Sequence, residues 1–362
     1  MNRRRWLSSF AAAGLPASVP APGASVETEI VRLRLRDAWT TTMSSSDYRE
    51  TIHVRYTAGG VTGLGEGAPI VRYGEAASGA QEAIRSLAAA IASRSPWHFE
   101  KLVREVFAGH SGNYAARAAV DIAVMDWVGK KLRIPLYRLF GLDAKDAPVT
   151  TFSIGIDTPE VTRRKVQEAA AYPVLKIKVG LNSDEATLRA VRSVTDKPLR
   201  VDANEGWPDK DVAARKIEWL ARVGVEFIEQ PMPAAMIEET RWLRERSGIP
   251  IIADEAVLRA GDIPRLAEAY DGVNVKLDKA GGLVEAWRML QVARALGMKT
   301  MLGCMISSSV SITAAAHLSP LADYADLDGN LLIANDPYRG VTVREGRLIL
   351  PGSPGLGLES AA

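Results

Sequence analysis

Lysines and carboxylates recur in this chain at nearly constant spacing. Lys178, Asp202, Glu229, Asp254, Lys279 and Asp328 each end a short apolar run, and Cys304 ends the run between the last two. Successive gaps are 24, 27, 25, 25, 25 and 24 residues. Asp202, Glu229 and Asp254, with no histidine or cysteine among them, form a hard-oxygen set that suits Mg²⁺, or alternatively Mn²⁺, rather than Zn²⁺. A lysine serves as a base only if its pKa falls well below the free value of about 10.4. Lys176 shares a strand face with Lys178, and a like charge beside a base shifts its pKa down, as a divalent cation would. Lys178 and Lys279, flanking the carboxylates, therefore read as bases that remove a proton next to a carboxylate, with metal stabilising the enediolate. Bases on both faces of one carbon allow removal from one side and return to the other, which inverts it. The competing reading makes Lys176 and Lys178 a phosphate-binding pair, but no glycine-rich loop with a following helix accompanies them.

The spacing also names the scaffold. The runs are Thr151–Gly155, Val174–Lys178, Leu199–Asp202, Glu226–Glu229, Pro250–Asp254, Val273–Lys279, Thr300–Cys304 and Tyr324–Asp328. Between them lie helical patterns such as Ser183–Thr195, Lys210–Val223 and Leu283–Leu296, whose apolar residues recur every three or four positions. A strand, a loop and a three-turn helix fill about 25 residues, and strict alternation implies a parallel sheet. Eight strands in one run predict a closed α/β barrel, a (β/α)7β TIM-like barrel over residues 146–331, with its chemistry at the strands' C-terminal ends. Residues 26–145 read as an N-terminal α+β capping domain. Its strands are Val31–Leu35, Ile52–Tyr56 and Val61–Gly67, and its helices Ala76–Ser93, His98–Val106 and Tyr114–Leu132. Strand-like pieces Val341–Arg344 and Arg347–Leu350 place residues 332–362 as a C-terminal segment that returns to the capping domain.

The 362 residues carry 45 basic and 43 acidic side chains, a net charge of +2 that becomes −1 without Arg3, Arg4 and Arg5. Such a body is no nucleic-acid binder. One cysteine excludes intramolecular disulfides and a cysteine-based zinc cluster, and the four histidines (His53, His98, His110, His317) are scattered. The arginine cluster leads into a mild apolar run, Phe10–Val19, too short for a membrane span. Residues 1–24 therefore read as a twin-arginine-like signal peptide, which predicts a periplasmic or exported protein without stable membrane insertion; the other reading is a basic tail on a cytoplasmic one.

At its motif residues the chain resembles the enolase superfamily, in the muconate-lactonizing-enzyme subgroup. Leu175–Gly180 is similar to that subgroup's Lys-x-Lys motif on the second strand, and Asp202, Glu229 and Asp254 to its three Mg²⁺ ligands. Lys279, within Val275–Gly282, is similar to the second base. Within the subgroup the likeness is to dipeptide epimerases of the L-Ala-D/L-Glu type, which carry an Asp-x-Asp motif on the eighth strand; here it is Asp326-Leu327-Asp328. The resemblance implies that Asp326 and Asp328 hold a substrate ammonium, that Thr151, Cys304 and Ile306 contact a small dipeptide, and that Lys176 doubles as a cation for the substrate carboxylate. It also implies a homo-oligomer.

One departure concerns specificity. The resemblance implies an arginine in the first capping-domain loop for a glutamate side chain, yet Ala38–Ser46 contains no basic residue. Arg49 or Arg72 is the candidate substitute, while Trp39 and Met43 would line an apolar pocket. The expected activity is Mg²⁺-dependent epimerisation at the C-terminal residue of a dipeptide, an isomerase reaction. Cycloisomerisation, o-succinylbenzoate synthesis and N-acylamino acid racemisation are the alternatives, and their substrates lack the ammonium that paired aspartates suit. A dehydratase would call for a histidine base near strands 6 to 8, and His317 falls in the helix after strand 7. A periplasmic dipeptide-binding protein without catalysis would have little need of both lysines and three ligands.

Overall fold

Glycines set how the N-terminal layers meet. In the computed structural model, which describes residues 23–110 and 112–361, strands β1 (Ser25–Thr40), β2 (Ser45–Ala58) and β3 (Val61–Gly67) form an antiparallel sheet in that order. Helices α1 (Ala77–Ala92), α2 (Phe99–Val106) and α3 (Tyr114–Leu132) cover one face. Gly63, Gly65 and Gly67 alternate along β3, and a Cβ at each would lie 2.0, 2.0 and 1.9 Å from Ala123, Ala119 and Ala115 carbonyl oxygens of α3. The helix backbone thus rests directly on the strand, through alanines one turn apart. β1 and β2 run longer than the apolar pattern indicates, because a polar arm, paired as far as Thr40 with Ser45, continues beyond the core.

A short helix α4 (Leu136–Leu139) leads to eight parallel strands: β4 (Phe152–Ile154), β5 (Leu175–Lys178), β6 (Leu199–Asp202), β7 (Val225–Glu229), β8 (Ile251–Ala253), β9 (Gly272–Lys276), β10 (Lys299–Gly303) and β11 (Tyr324–Asp326). Each pairs with the next, and a parallel bridge from Thr150 to Ala325 closes the ring, so the expected barrel is observed. The crossovers are α5 (Pro159–Glu168), α6 (Asp184–Arg192), α7 (Lys210–Arg222), α8 (Ile237–Arg244), α9 (Ile263–Leu266), α10 (Leu277–Ala280) with α11 (Leu283–Ala295), and α12 (Ser309–Ala316).

Strand periodicity separates the barrel's two surfaces. Leu175, Ile177, Leu199, Val201, Val273 and Val275 join the main core beneath the helices. The alternate positions fill the interior: Phe227, Ile252 and Met301 form a separate plug, with Arg200 stacked over Phe227 and Tyr324. Two residues further along, the same strands present Asp202, Glu229, Asp254, Gly303 and Asp326 at the mouth.

The C-terminal segment divides between the two halves. Ile333 bridges Leu35, and Asn335 accepts from Arg34 N and donates to Arg32 O, so this piece does return to the sheet of β1–β3. The two strand-like pieces expected to return there instead pair with each other as β13 (Thr342–Arg344) and β14 (Arg347–Ile349), after β12 (Tyr338–Arg339) has paired with β15 (Glu359–Ser360). Their hairpin turn lies against the start of β4, where Thr150 N donates to Gly346 O. Buried carboxylates tie the halves together: Asp121 accepts from Leu283 N at the start of α11, and Asp278 accepts from Ala68 N at 2.7 Å. Glu66 accepts from Ser308 and Ser311 at the start of α12.

Candidate active site

Lys178, Asp202 and Glu229 are the last residues of β5, β6 and β7, paired in register across the three strands. Asp254 follows β8 directly. One oxygen from each of Asp202, Glu229 and Asp254 lies within 4.8 Å of the others, and all three side chains are buried. Burial first, and then Asp202 beside it, push Glu229 up to about 8. Three carboxylates this close cannot all ionise without compensating charge, so the donor set fits a small divalent cation with oxygen ligands. Asn274 Nδ2 donates to Glu229 Oε1 at 2.7 Å; a Cβ on the neighbouring Gly303 would collide with that amide.

Lys176 stands behind the triad, its ammonium 2.6 Å from Asp326, 2.8 Å from Glu229 and 3.2 Å from Asp202. Burial works against this charge, but Asp326, Glu229 and Asp202 outweigh it and raise the Lys176 pKa. Lys178 donates to Asp202 Oδ2 at 2.6 Å and to Asn204 Oδ1 at 3.1 Å.

The sixth strand differs from the sequence reading. β9 ends at Lys276, and Lys279 lies one turn further on, in α10. Leu277 continues the apolar run in the sequence, but the backbone has already turned into helix there. Lys279 donates to Asp254 Oδ1 and to the carbonyls of Asp254 and Asn274. Burial, opposed by Asp254, lowers its pKa. Lys276, passed over in the sequence, makes an ion pair with Asp254 Oδ2 at 2.7 Å and lines the cleft. Period two from Asn274 would have singled it out.

On the eighth strand Asp326 takes hydrogen bonds from Thr151, Ser153 and Lys176. Burial alone would raise its pKa; Lys176 and Thr151 pull it well below the carboxylate range. Asp328 accepts from Ser153 N at 2.6 Å and is pushed up to about 7, by burial and then by Asp326. The pair thus offers one fixed negative charge and a second group that would ionise fully beside a cation. Thr151, expected at the substrate, is fully buried with its hydroxyl on Asp326, and Ser153 lines the cleft in its place. Cys304 and Ile306 both line it.

These groups open into a cleft between the barrel mouth and two loops of the N-terminal sheet. Trp39, Met43, Ile70 and Val71 supply its apolar rim. Arg72 makes a bidentate pair with Glu205 at 2.6 and 2.7 Å, whereas among the described residues Arg49 donates only to Tyr48 O.

A (β/α)7β barrel with a carboxylate triad at its mouth, under an α+β cap, has the architecture of a known class of enzyme. Residues 25–141 match the mandelate racemase / muconate lactonizing enzyme N-terminal domain, and residues 160–361 match the enolase C-terminal domain-like family. The chain belongs to the enolase superfamily. It is 45% identical over 330 residues to the L-Ala-D/L-amino acid epimerase of Pedosphaera parvula, covering 89% of this chain and 94% of that protein. It is 41% identical over 327 residues to the L-Ala-D/L-Glu epimerase of Bacteroides thetaiotaomicron, covering 90% and 85%. Among solved structures it resembles the dipeptide epimerase of Enterococcus faecalis complexed with Mg and L-Leu-L-Tyr. The TM-score is 0.87 at 32% identity, over 92% of this chain and 99% of that one.

Proposed function

We propose that this chain is a Mg²⁺-dependent dipeptide epimerase, an isomerase that inverts the α-carbon of the dipeptide's C-terminal residue by proton transfer between two lysines. One observation carries the reading: Lys178 and Lys276 end strands four apart on an eight-strand ring, on opposite sides of the Asp202–Glu229–Asp254 triad.

The expectation for Lys279 moves to Lys276 on a count of donors. An ammonium has three, and Lys279 directs all three at protein acceptors. All three lysines line the cleft, but among the described residues Lys276 hydrogen-bonds a single carboxylate and Lys178 two partners. The metal held by Asp202, Glu229 and Asp254 would neutralise charge developing on the substrate carboxylate. Lys176 adds a fixed positive charge behind that position. One lysine, neutral, takes the α-proton; the C–H electron pair delocalises into the adjacent carboxylate; the opposite ammonium returns a proton to the other face. Asp328, assisted by Asp326, binds the ammonium of the N-terminal residue, and Cys304, Met305 and Ile306 line the space beside it.

The test is an assay of L,L- and L,D-dipeptides in D₂O with Mg²⁺, reading α-deuterium and configuration. Inversion with one deuteron gained supports the reading; activity confined to N-acylated amino acids would replace it with the N-acylamino acid racemase. Among the described residues no helix is long and apolar enough to cross a membrane. The expected signal lies, apart from its last two residues, outside the described residues. We further infer export from Arg3–Arg5 and the apolar run behind them; an N-terminus at Met1 on protein recovered from cells would sink this. A homo-oligomer is the reading that light scattering would test.

A further inference from the structure

The turn after β6 holds two consecutive non-glycine residues at positive φ, Asn204 at 41° and Glu205 at 64°. Asparagine tolerates that region, but glutamate rarely occupies it, so surrounding contacts must hold the turn in place. They come from three directions. Asp202 Oδ1 accepts from Asn204 N at 2.9 Å, and Glu205 N donates to Gln230 O at 2.9 Å, both within the barrel. From the cap's first loop, Thr42 Oγ1 donates to Asn204 O at 3.0 Å. From its second, Arg72 grips Glu205 with two charge-assisted bonds. On the inner side the Asn204 amide bridges Lys178 and Glu255: Oδ1 accepts from Lys178 Nζ at 3.1 Å, and Nδ2 donates to Glu255 Oε1 at 3.0 Å. The Glu255 bond fixes which end of the amide faces the lysine, because a carboxylate accepts only from the NH₂ end.

We propose that Asn204 is the positioning residue for Lys178, and that the cap loops hold it in place by clamping the Asn204–Glu205 turn through Thr42 and Arg72. Seating of the cap and aim of one base are then a single event. Arg72 is accordingly a latch between cap and barrel, and no longer a receptor for a substrate side chain. This rests on the two-lysine reading above, and concerns one lysine only: among the described residues no hydrogen bond or ion pair joins Asn204 or Glu205 to Lys276.

That one-sidedness makes the test. Each epimer of a dipeptide that the wild-type chain inverts is incubated separately in D₂O with Mg²⁺, scoring deuterium uptake with retention and with inversion. In Asn204→Ala, inversion falls by about 10²-fold from both sides, the cost of misplacing a reacting group. The epimer whose proton Lys276 removes keeps its exchange with retention within a few-fold of wild type, while the other loses exchange together with inversion. Arg72→Gln gives the same lopsided pattern at smaller amplitude, and Asn204→Ser reads the same contact if the alanine variant fails to fold. Equal loss of exchange from both epimers, or no loss, overturns the proposal. So does disappearance of the Mg²⁺-induced rise in Tm, which would mean that Asn204 acts through Asp202. A wild-type chain that exchanges no dipeptide α-proton would instead sink the two-lysine reading itself.

Discussion

At the scale of single residues, Lys276 and Lys279 are three positions apart and touch the same aspartate, yet they should fail differently. Lys276→Met is expected to lower inversion by at least about 10³-fold with the fold intact, as removal of an acid–base group does. Lys279→Met removes one donor from each of the Asp254 and Asn274 carbonyls and leaves a buried carboxylate short of a cation. Its main effect is a loss of about 3–5 kcal/mol of stability, read from urea unfolding beside the activity of whatever remains folded. An inactive but fully stable Lys279→Met would return the base assignment to Lys279. Specificity separates Arg49 from Arg72 in the same way. Arg72 is engaged by Glu205, so among the described residues Arg49 is the cation at the cleft without a carboxylate partner. Arg49→Gln should reduce kcat/KM for dipeptides with an acidic second residue by about two- to fivefold, the value of one exposed charge pair. Apolar dipeptides, which meet Trp39, Met43 and Val71, should be little affected.

At the scale of elements, the barrel works because each strand spends alternate residues on two tasks. Lys176 and Lys178, Arg200 and Asp202, Phe227 and Glu229 each pair an interior position with one at the mouth, while Ile177, Val201 and Ile228 pack outward. The period of about 25 residues was therefore legible, as were the mouth positions on β5, β6 and β7. On β9 the reading overran into helix, since apolar periodicity alone does not mark where a strand stops. Just before β4, Thr151 points the same way as Ser153 but one layer deeper, so both reach Asp326 and only Ser153 lines the cleft. The cap depends on β3, where no side chain fits against α3. Gly65→Ala puts a methyl group 2.0 Å from the Ala119 carbonyl and should cost about 3 kcal/mol or more, read as a shift in denaturation midpoint. An unchanged midpoint would mean that α3 is free to lift from the sheet.

At the scale of the whole molecule, two titrations couple distant parts. His317 ends α12 fully buried: Nδ1 accepts from Tyr137 N, and Nε2 faces Leu356 O at 3.2 Å. It joins the barrel, α4 and the C-terminal segment. Burial lowers its pKa from 6.5 to about 4. The unfolded chain therefore binds a proton between pH 6.5 and 4 that the folded chain refuses, and stability falls as pH drops through that window. His317→Gln removes this dependence, so the stability advantage of wild type over variant should shrink by about 3 kcal/mol from pH 7 to pH 4. A constant gap would show that the folded protein accommodates the imidazolium. The second titration is that of Glu229, raised to about 8. Below that pH the metal-free triad carries a proton which Mg²⁺ must displace, so Mg²⁺ binding at pH 7 should release protons and tighten as pH rises toward 8. Calorimetry in buffers of different ionisation enthalpy reads the proton count. Chelation of the metal should lower Tm, because binding favours the folded state alone.

The sequence by itself determined the barrel, the identities of the three carboxylates, Lys176 and Lys178, and the chemistry they support. These depend on period and residue type, which are local properties repeated along the chain. Only the tertiary structure decided how many protein partners Lys276 and Lys279 each meet, that Asp326 is held by Lys176, and that Arg72 is spent on Glu205. Those outcomes depend on how many partners compete for each charged group. The partners, on strands and loops tens to hundreds of residues apart, meet only when the ring closes and the cap is seated.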